Sequence, residues 1–187
     1  MVKLNSKTIS LIIVFSALSI VLDVLPIRVP AFYAPYLYYQ IWEIPIVAAF
    51  LLYGARVGFF ITLLNTMVLL VWFPGYLPSG PLYNMAAVLS MLLGMGIAKS
   101  LVAKHSPKRE ETVAALLTAS GVILRTVVMV LIDYVFLRFP PPIGLSYSEL
   151  GLIAATPLVA IFNLTLALYT IPLGYSAAKA VRSYIRM

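Results

Sequence analysis

Long apolar runs separated by short basic clusters constrain this chain more than any other feature. Of its 187 residues, 63% are hydrophobic and only 10% are charged. The runs are too long and too many for the core of one soluble domain, and their lengths suit helices that cross a bilayer. They occupy residues 8–25, 42–53, 57–73, 82–101, 112–137 and 147–180. The expected fold is an all-α integral membrane protein with six transmembrane helices in a single domain over residues 1–187. No cleavable signal is evident, because the first run is long, lacks a small-residue cleavage site and is followed by further spans.

The runs differ in ways that matter. The second is short for a hydrocarbon core about 30 Å thick. Its Pro45 falls in the first turn, where a missing N–H costs little. Pro74 and Gly75 end the third run, and Pro140, Pro141 and Pro142 end the fifth. The sixth is too long for one straight crossing. Tilt, a bend at Pro157 or Pro172, or a preceding interfacial helix would each accommodate it.

Charge assigns the sides. The chain carries 13 Lys and Arg against 6 Asp and Glu. Lys3 and Lys7 precede the first run, and Arg56 lies between the second and third. Lys99, at the end of the fourth, and Lys104, Lys108 and Arg109 mark the connection to the fifth, and Lys179, Arg182 and Arg186 close the chain. All of these fall on one side of a six-span arrangement. Only Arg28 and Arg138 fall on the other, and Arg125 lies within a span. An excess of Lys and Arg marks the cytoplasmic side, so both termini are expected inside a multi-pass cell-membrane protein, N-in and C-in. The basic residues flank spans and form no continuous patch, which argues against nucleic acid as a partner.

The sparse side is rich in proline and aromatics. Residues 26–40 hold Tyr33, Tyr36, Tyr38 and Tyr39, and Phe73-Pro74-Gly75-Tyr76 and Phe139-Pro140-Pro141-Pro142 follow later. The tyrosines fit an interfacial belt or a stacking wall for a flat ligand. The prolines stiffen the segment, as a preordered lid requires.

Polar groups inside membrane spans are costly and face the protein interior. Here they are Asp23, Glu43, Asn65, Asn84, Arg125, Asp133 and Asn163. Asp23, Glu43, Asn84 and Asp133 lie toward the outer half, where they either converge on one outward-facing pocket or meet interfacial water. Glu43 also suits a helix start, where a carboxylate meets the positive end of the dipole. Arg125, the deepest charge, pairs with a carboxylate on another helix or contacts an anionic ligand group. Asn84 and Asn163 offer amide donors and acceptors, either to a ligand or across a helix interface. Ser16, Ala17 and Ser19 allow close helix approach on the first run.

Catalytic signatures are missing. There is no HExxH, P-loop or GxSxG motif, and no cysteine. The single His105 lies in a basic loop, so no metal site and no cofactor is expected. Any ATP-driven activity requires a partner subunit.

The arrangement resembles the substrate-binding S component of energy-coupling factor (ECF) vitamin transporters, over nearly the whole chain. Local matches to the riboflavin-binding S components are Ser16-Ala17-Leu18, Pro35-Tyr36-Leu37, Glu43-Ile44-Pro45, Gly54, Gly58, Asn84 and Phe162-Asn163. Departures accompany them: Leu164-Thr165-Leu166 follows Phe162-Asn163 where riboflavin binders carry a lysine, and Pro81 stands where a polar residue is expected. The resemblance implies a non-enzymatic, high-affinity binding subunit of an ABC importer that takes up riboflavin. It also implies partnership with a transmembrane coupling subunit and two cytoplasmic ATPases. The family's Ala-x-x-x-Ala docking pair corresponds here to Ile13 and Ala17. The ligand-binding residues it implies are Tyr33, Tyr36, Tyr38, Tyr39, Glu43, Asn84, Asp133 and Asn163. Alternatives are an S component for thiamine, biotin or pantothenate, and an integral-membrane enzyme acting on a lipid.

Overall fold

The computed structural model describes residues 5–25, 28–72, 77–105 and 109–185. In chain order the helices are α1 (Ser6–Val24), α2 (Glu43–Tyr53), α3 (Ala55–Trp72), α4 (Gly80–His105), α5 (Glu110–Phe136) and α6 (Glu149–Ile185). Five of them, all but α2, are long and apolar enough to cross a membrane. With 11 residues α2 reaches only about 16 Å at 1.5 Å per residue.

Local chemistry explains the element ends. The Asn5 side chain caps α1 by accepting from the Thr8 N–H at 2.8 Å, satisfying a donor the helix leaves open. Gly54, at φ 98°, turns the chain between α2 and α3 in a region nearly closed to other residues. At Gly94 a Cβ would run into the Ser120 carbonyl, so α4 and α5 approach closely only because that side chain is absent.

The shortest helix is the most buried. The short α2 is apolar all round, and eight of its 11 residues are buried. Its Ile46, Val47, Ala49 and Phe50 pack with Ile61, Val88, Met91, Met95, Ala167 and Ile171 in the central core. The longer helices expose apolar stripes, such as Ile13, Val14 and Leu18 on α1 and Ile123, Val127 and Leu131 on α5. Faces of that kind suit lipid.

Two expectations are refined. The aromatic segment is not wholly irregular, so the fold is not purely helical. It holds an antiparallel hairpin of β1 (Val29–Ala31) and β2 (Ala34–Tyr39), with Val29 opposite Tyr39 and Pro30 opposite Tyr38. Aromatic side chains suit a strand despite the neighbouring prolines. The sixth run is one helix of 37 residues that continues through Pro157 and Pro172. At about 55 Å it exceeds a bilayer core, so in a membrane it tilts or protrudes.

The two ends of the bundle are chemically distinct. At one, Arg182 donates to the Leu51 carbonyl at 2.8 Å, Lys179 pairs with Glu110, and Lys99 sits 5.8 Å from the centre of the Phe50 ring. These contacts tie the C-terminal part of α6 to the end of α2 and the first turn of α5, and the C-terminal part of α4 to the end of α2. At the other end lie the hairpin, the turn into α4 and the α5–α6 loop. There the Ser79 and Tyr83 hydroxyls both donate to the Ile143 carbonyl at 2.9 Å.

Candidate functional site

At the end away from the lysines, all six helices and the hairpin surround a cavity of about 590 Å³. That volume lies within the range of roughly 300–1,000 Å³ usual for small-molecule sites. Because α2 is short, its first residue sits part-way through the bundle, and Glu43 reaches the cavity from there.

A buried ion pair lies deep in this cavity. Arg125 Nη1 donates to Glu43 Oε2 at 2.5 Å and Nη2 to Oε1 at 3.0 Å. Arg125 Nε donates to Asn163 Oδ1 at 3.0 Å, and Asn163 Nδ2 donates to the Val159 carbonyl at 3.1 Å. Bidentate geometry and the further amide contact are what a desolvated guanidinium requires. Of the two roles open to Arg125, the structure shows pairing with a carboxylate on another helix.

Above this pair the walls are mainly apolar and aromatic. Trp42, Leu69, Ala87, Met129 and Phe162 alternate with Tyr38, Tyr83 and Tyr147. Asn84 opens onto the cavity near the start of α4, and Asp133 from the last two turns of α5. Asp23 lines it from the end of α1, where its carboxylate accepts from Asn65 Nδ2 at 3.3 Å.

Of the residues expected to bind ligand, Tyr38, Glu43, Asn84, Asp133 and Asn163 line the cavity together. Tyr33 and Tyr39 do not. The Tyr39 hydroxyl bonds the hydroxyls of Tyr33 and Thr165, both at 2.6 Å, and its ring packs 5.2 Å from that of Phe162. Leu37 and Tyr38 meet the cavity, while contacts with Thr165 and Phe162 turn Tyr39 to brace the hairpin on α6. Burial, and next the hydrogen bond with Tyr39, raise the Tyr33 phenol above its ordinary pKa. The Tyr36 side chain lies outside the described residues. Ile13 and Ala17 both lie on the exposed face of α1, whereas Ser16 and Ser19 are buried.

Several lining residues were not singled out by sequence. Trp42 precedes Glu43, Tyr83 precedes Asn84, and Tyr147 lies just before α6. The usable signal is an aromatic beside a polar residue at the end of a span away from the basic clusters. Gln40 also lines the cavity. It is anchored by its carbonyl, which accepts from the Tyr169 hydroxyl at 2.5 Å, and by its side chain, which accepts from Trp42 Nε1 at 3.0 Å.

No protein-family model matches the chain, and no curated protein matches it. A solved S component of a bacterial ECF transporter superposes on it with a TM-score of 0.75. The likeness covers 97% of this chain and 98% of that one, at 20% sequence identity. This chain therefore has the S-component fold.

Proposed function

We propose that the chain is the substrate-binding membrane subunit of an ECF-type importer and that its substrate is a small vitamin, riboflavin first among them. The observation that carries this reading is the cavity itself. It is large enough for a vitamin, walled by aromatics, and set at the end opposite the basic residues in a chain with the S-component fold. In this reading Lys7, Arg56, Lys99, Lys104, Arg109, Lys179 and Arg182 face the cytoplasm, and both termini lie inside. The cavity then opens outward.

Binding in this scheme is stacking plus orientation. Tyr38, Trp42 and Phe162 offer faces to a flat ring. Asn84, Asp133 and the remaining N–H of Asn163 supply directional hydrogen bonds. Glu43 acts through Arg125, which it holds in place, and Tyr33 and Tyr39 keep the hairpin closed over the site. The loaded subunit then docks through the α1 face containing Ile13 and Ala17 on a transmembrane coupling subunit driven by two ATPases. An enzyme acting on lipid at the cytoplasmic surface would need clustered acids free at the basic end, whereas Asp23, Glu43 and Asp133 line the opposite cavity and Glu110, at the basic end, is paired with Lys179.

Purification in mild detergent followed by calorimetric titration with riboflavin, thiamine, biotin and pantothenate tests this reading. We expect tight one-to-one binding of one vitamin, riboflavin giving a yellow co-purifying species. Absence of binding by all four would overturn it.

A further inference from the structure

Among the described residues, three cationic side chains lie outside the basic end: Arg28, Arg125 and Arg138. Each has a partner, but only that of Arg125 is a carboxylate. Arg125 is buried, with two nitrogens on Glu43 and a third on Asn163. Arg28, at the cavity mouth, donates to the Asp23 carbonyl at 3.1 Å. Arg138 donates to the Tyr134 carbonyl at 3.3 Å, stacks 5.2 Å from the centre of that ring, and does not line the cavity.

Three carboxylates line the same cavity: Asp23, Glu43 and Asp133. Arg125 satisfies Glu43, and Asn65 donates to Asp23. Asp133 differs, since among the described residues nothing donates a hydrogen bond to its carboxyl group. Its electrostatic neighbour is the Tyr83 phenol. An anion entering the deep part of the cavity would lose its water and find the cation there, Arg125, already held by Glu43, with Arg28 only at the mouth and three carboxylates set against these two guanidiniums, a cost that desolvation makes large. It would also meet Asp133 across a low-dielectric space. A ligand N–H or a cationic ring would find in Asp133 an acceptor with no competing donor.

We infer that the cavity selects substrates without negative charge, with Asp133 as the charge filter and as the acceptor for a ligand N–H, O–H or cationic ring. The inference rests on the binding-subunit reading and narrows it. Riboflavin, which is neutral, and thiamine, which is cationic, satisfy the rule, whereas biotin and pantothenate each carry a carboxylate.

The test uses the full chain in detergent and pairs of ligands on one scaffold. The pairs are riboflavin with flavin mononucleotide, thiamine with thiamine phosphate, biotin amide with biotin, and panthenol with pantothenate. In whichever scaffold binds, the member without the anionic group should bind at least about a hundredfold tighter, the scale of one unfavourable charge contact in a protein interior. Asp133→Asn should narrow that gap to about tenfold or less by strengthening the anionic member, and Asp133→Glu should preserve it. A wild-type gap below about tenfold overturns the charge rule while leaving the binding-subunit reading intact. A gap that Asp133→Asn leaves at its wild-type size overturns the assignment to Asp133. Absence of binding by every pair overturns the rule and the binding reading together.

Discussion

Arg125 on α5 grips Glu43 on α2 through two parallel hydrogen bonds, Nη1 to Oε2 at 2.5 Å and Nη2 to Oε1 at 3.0 Å. The partners are 82 residues apart in the chain, and their side chains are 3% and 2% exposed. This contact joins the shortest helix to one of the longest beside the cavity. Removing one partner strands the other charge without water. Arg125→Met should therefore cost about 3–5 kcal/mol of stability, and adding Glu43→Gln should recover part of that loss. Thermal unfolding in detergent of both single variants and the double variant measures the coupling. Purely additive losses would show that the two groups do not depend on each other.

Asn163 holds the same guanidinium through Nε at 3.0 Å while lining the cavity. Asn163→Leu should weaken vitamin binding by at least about 1 kcal/mol, a fivefold rise in Kd, because it removes a donor and loosens Arg125. Calorimetric titration reads the change. Unaltered affinity would reduce Asn163 to a packing residue.

Gly54 sits at φ 98° and ψ 173° between two helices, with open space where a Cβ would be. A substitution there is strained by backbone conformation rather than by a clash. Gly54→Ala should lower stability by about 1–3 kcal/mol. Gly80→Ala also has open space but no positive φ, and should stay within about 0.5 kcal/mol. Equal melting temperatures for the two variants would contradict the argument.

The chain contains no cysteine, so single cysteines report topology without background. Phe32, 94% exposed at the hairpin turn, lies at the cavity end, and Ser183 lies near the end of α6 at the basic end. A membrane-impermeant maleimide should label Phe32→Cys on intact cells and Ser183→Cys only after permeabilisation. The reverse pattern would invert the orientation.

Ala17 lies on the exposed face of α1 with Ile13, outside the cavity wall. Ala17→Trp should at least halve recovery of a co-expressed coupling subunit, since a large ring blocks close helix approach. Vitamin affinity of the isolated subunit should not move. A loss of affinity without loss of assembly would place this face elsewhere in the mechanism.

Much of the helix plan was legible in the chain. The expected run 82–101 became α4 (Gly80–His105), and 112–137 became α5 (Glu110–Phe136). Apolar length and proline punctuation act locally, so a one-dimensional reading captures them. The hairpin was harder to see, because its prolines and tyrosines fit both a stiff loop and a strand. Its facing was not readable at all. Tyr38 and Tyr39 are adjacent and chemically identical, and only docking against Phe162 and Thr165 decides which one leaves the cavity.

What the sequence determined by itself is where this chain resists water and where it keeps charge. Each apolar run and each basic cluster follows from the cost of desolvating backbone and charge, a cost incurred residue by residue. What only the tertiary structure decided is which polar groups cancel one another. Arg125 and Asp133 both lie on α5, about 12 Å apart along the helix, and either was a candidate ligand contact. Packing brings Glu43 and Asn163 to Arg125 and no donor among the described residues to Asp133. Coulomb energy and hydrogen bonding depend on distances across helices, so the difference between a spent charge and an available one emerges only once the bundle has closed.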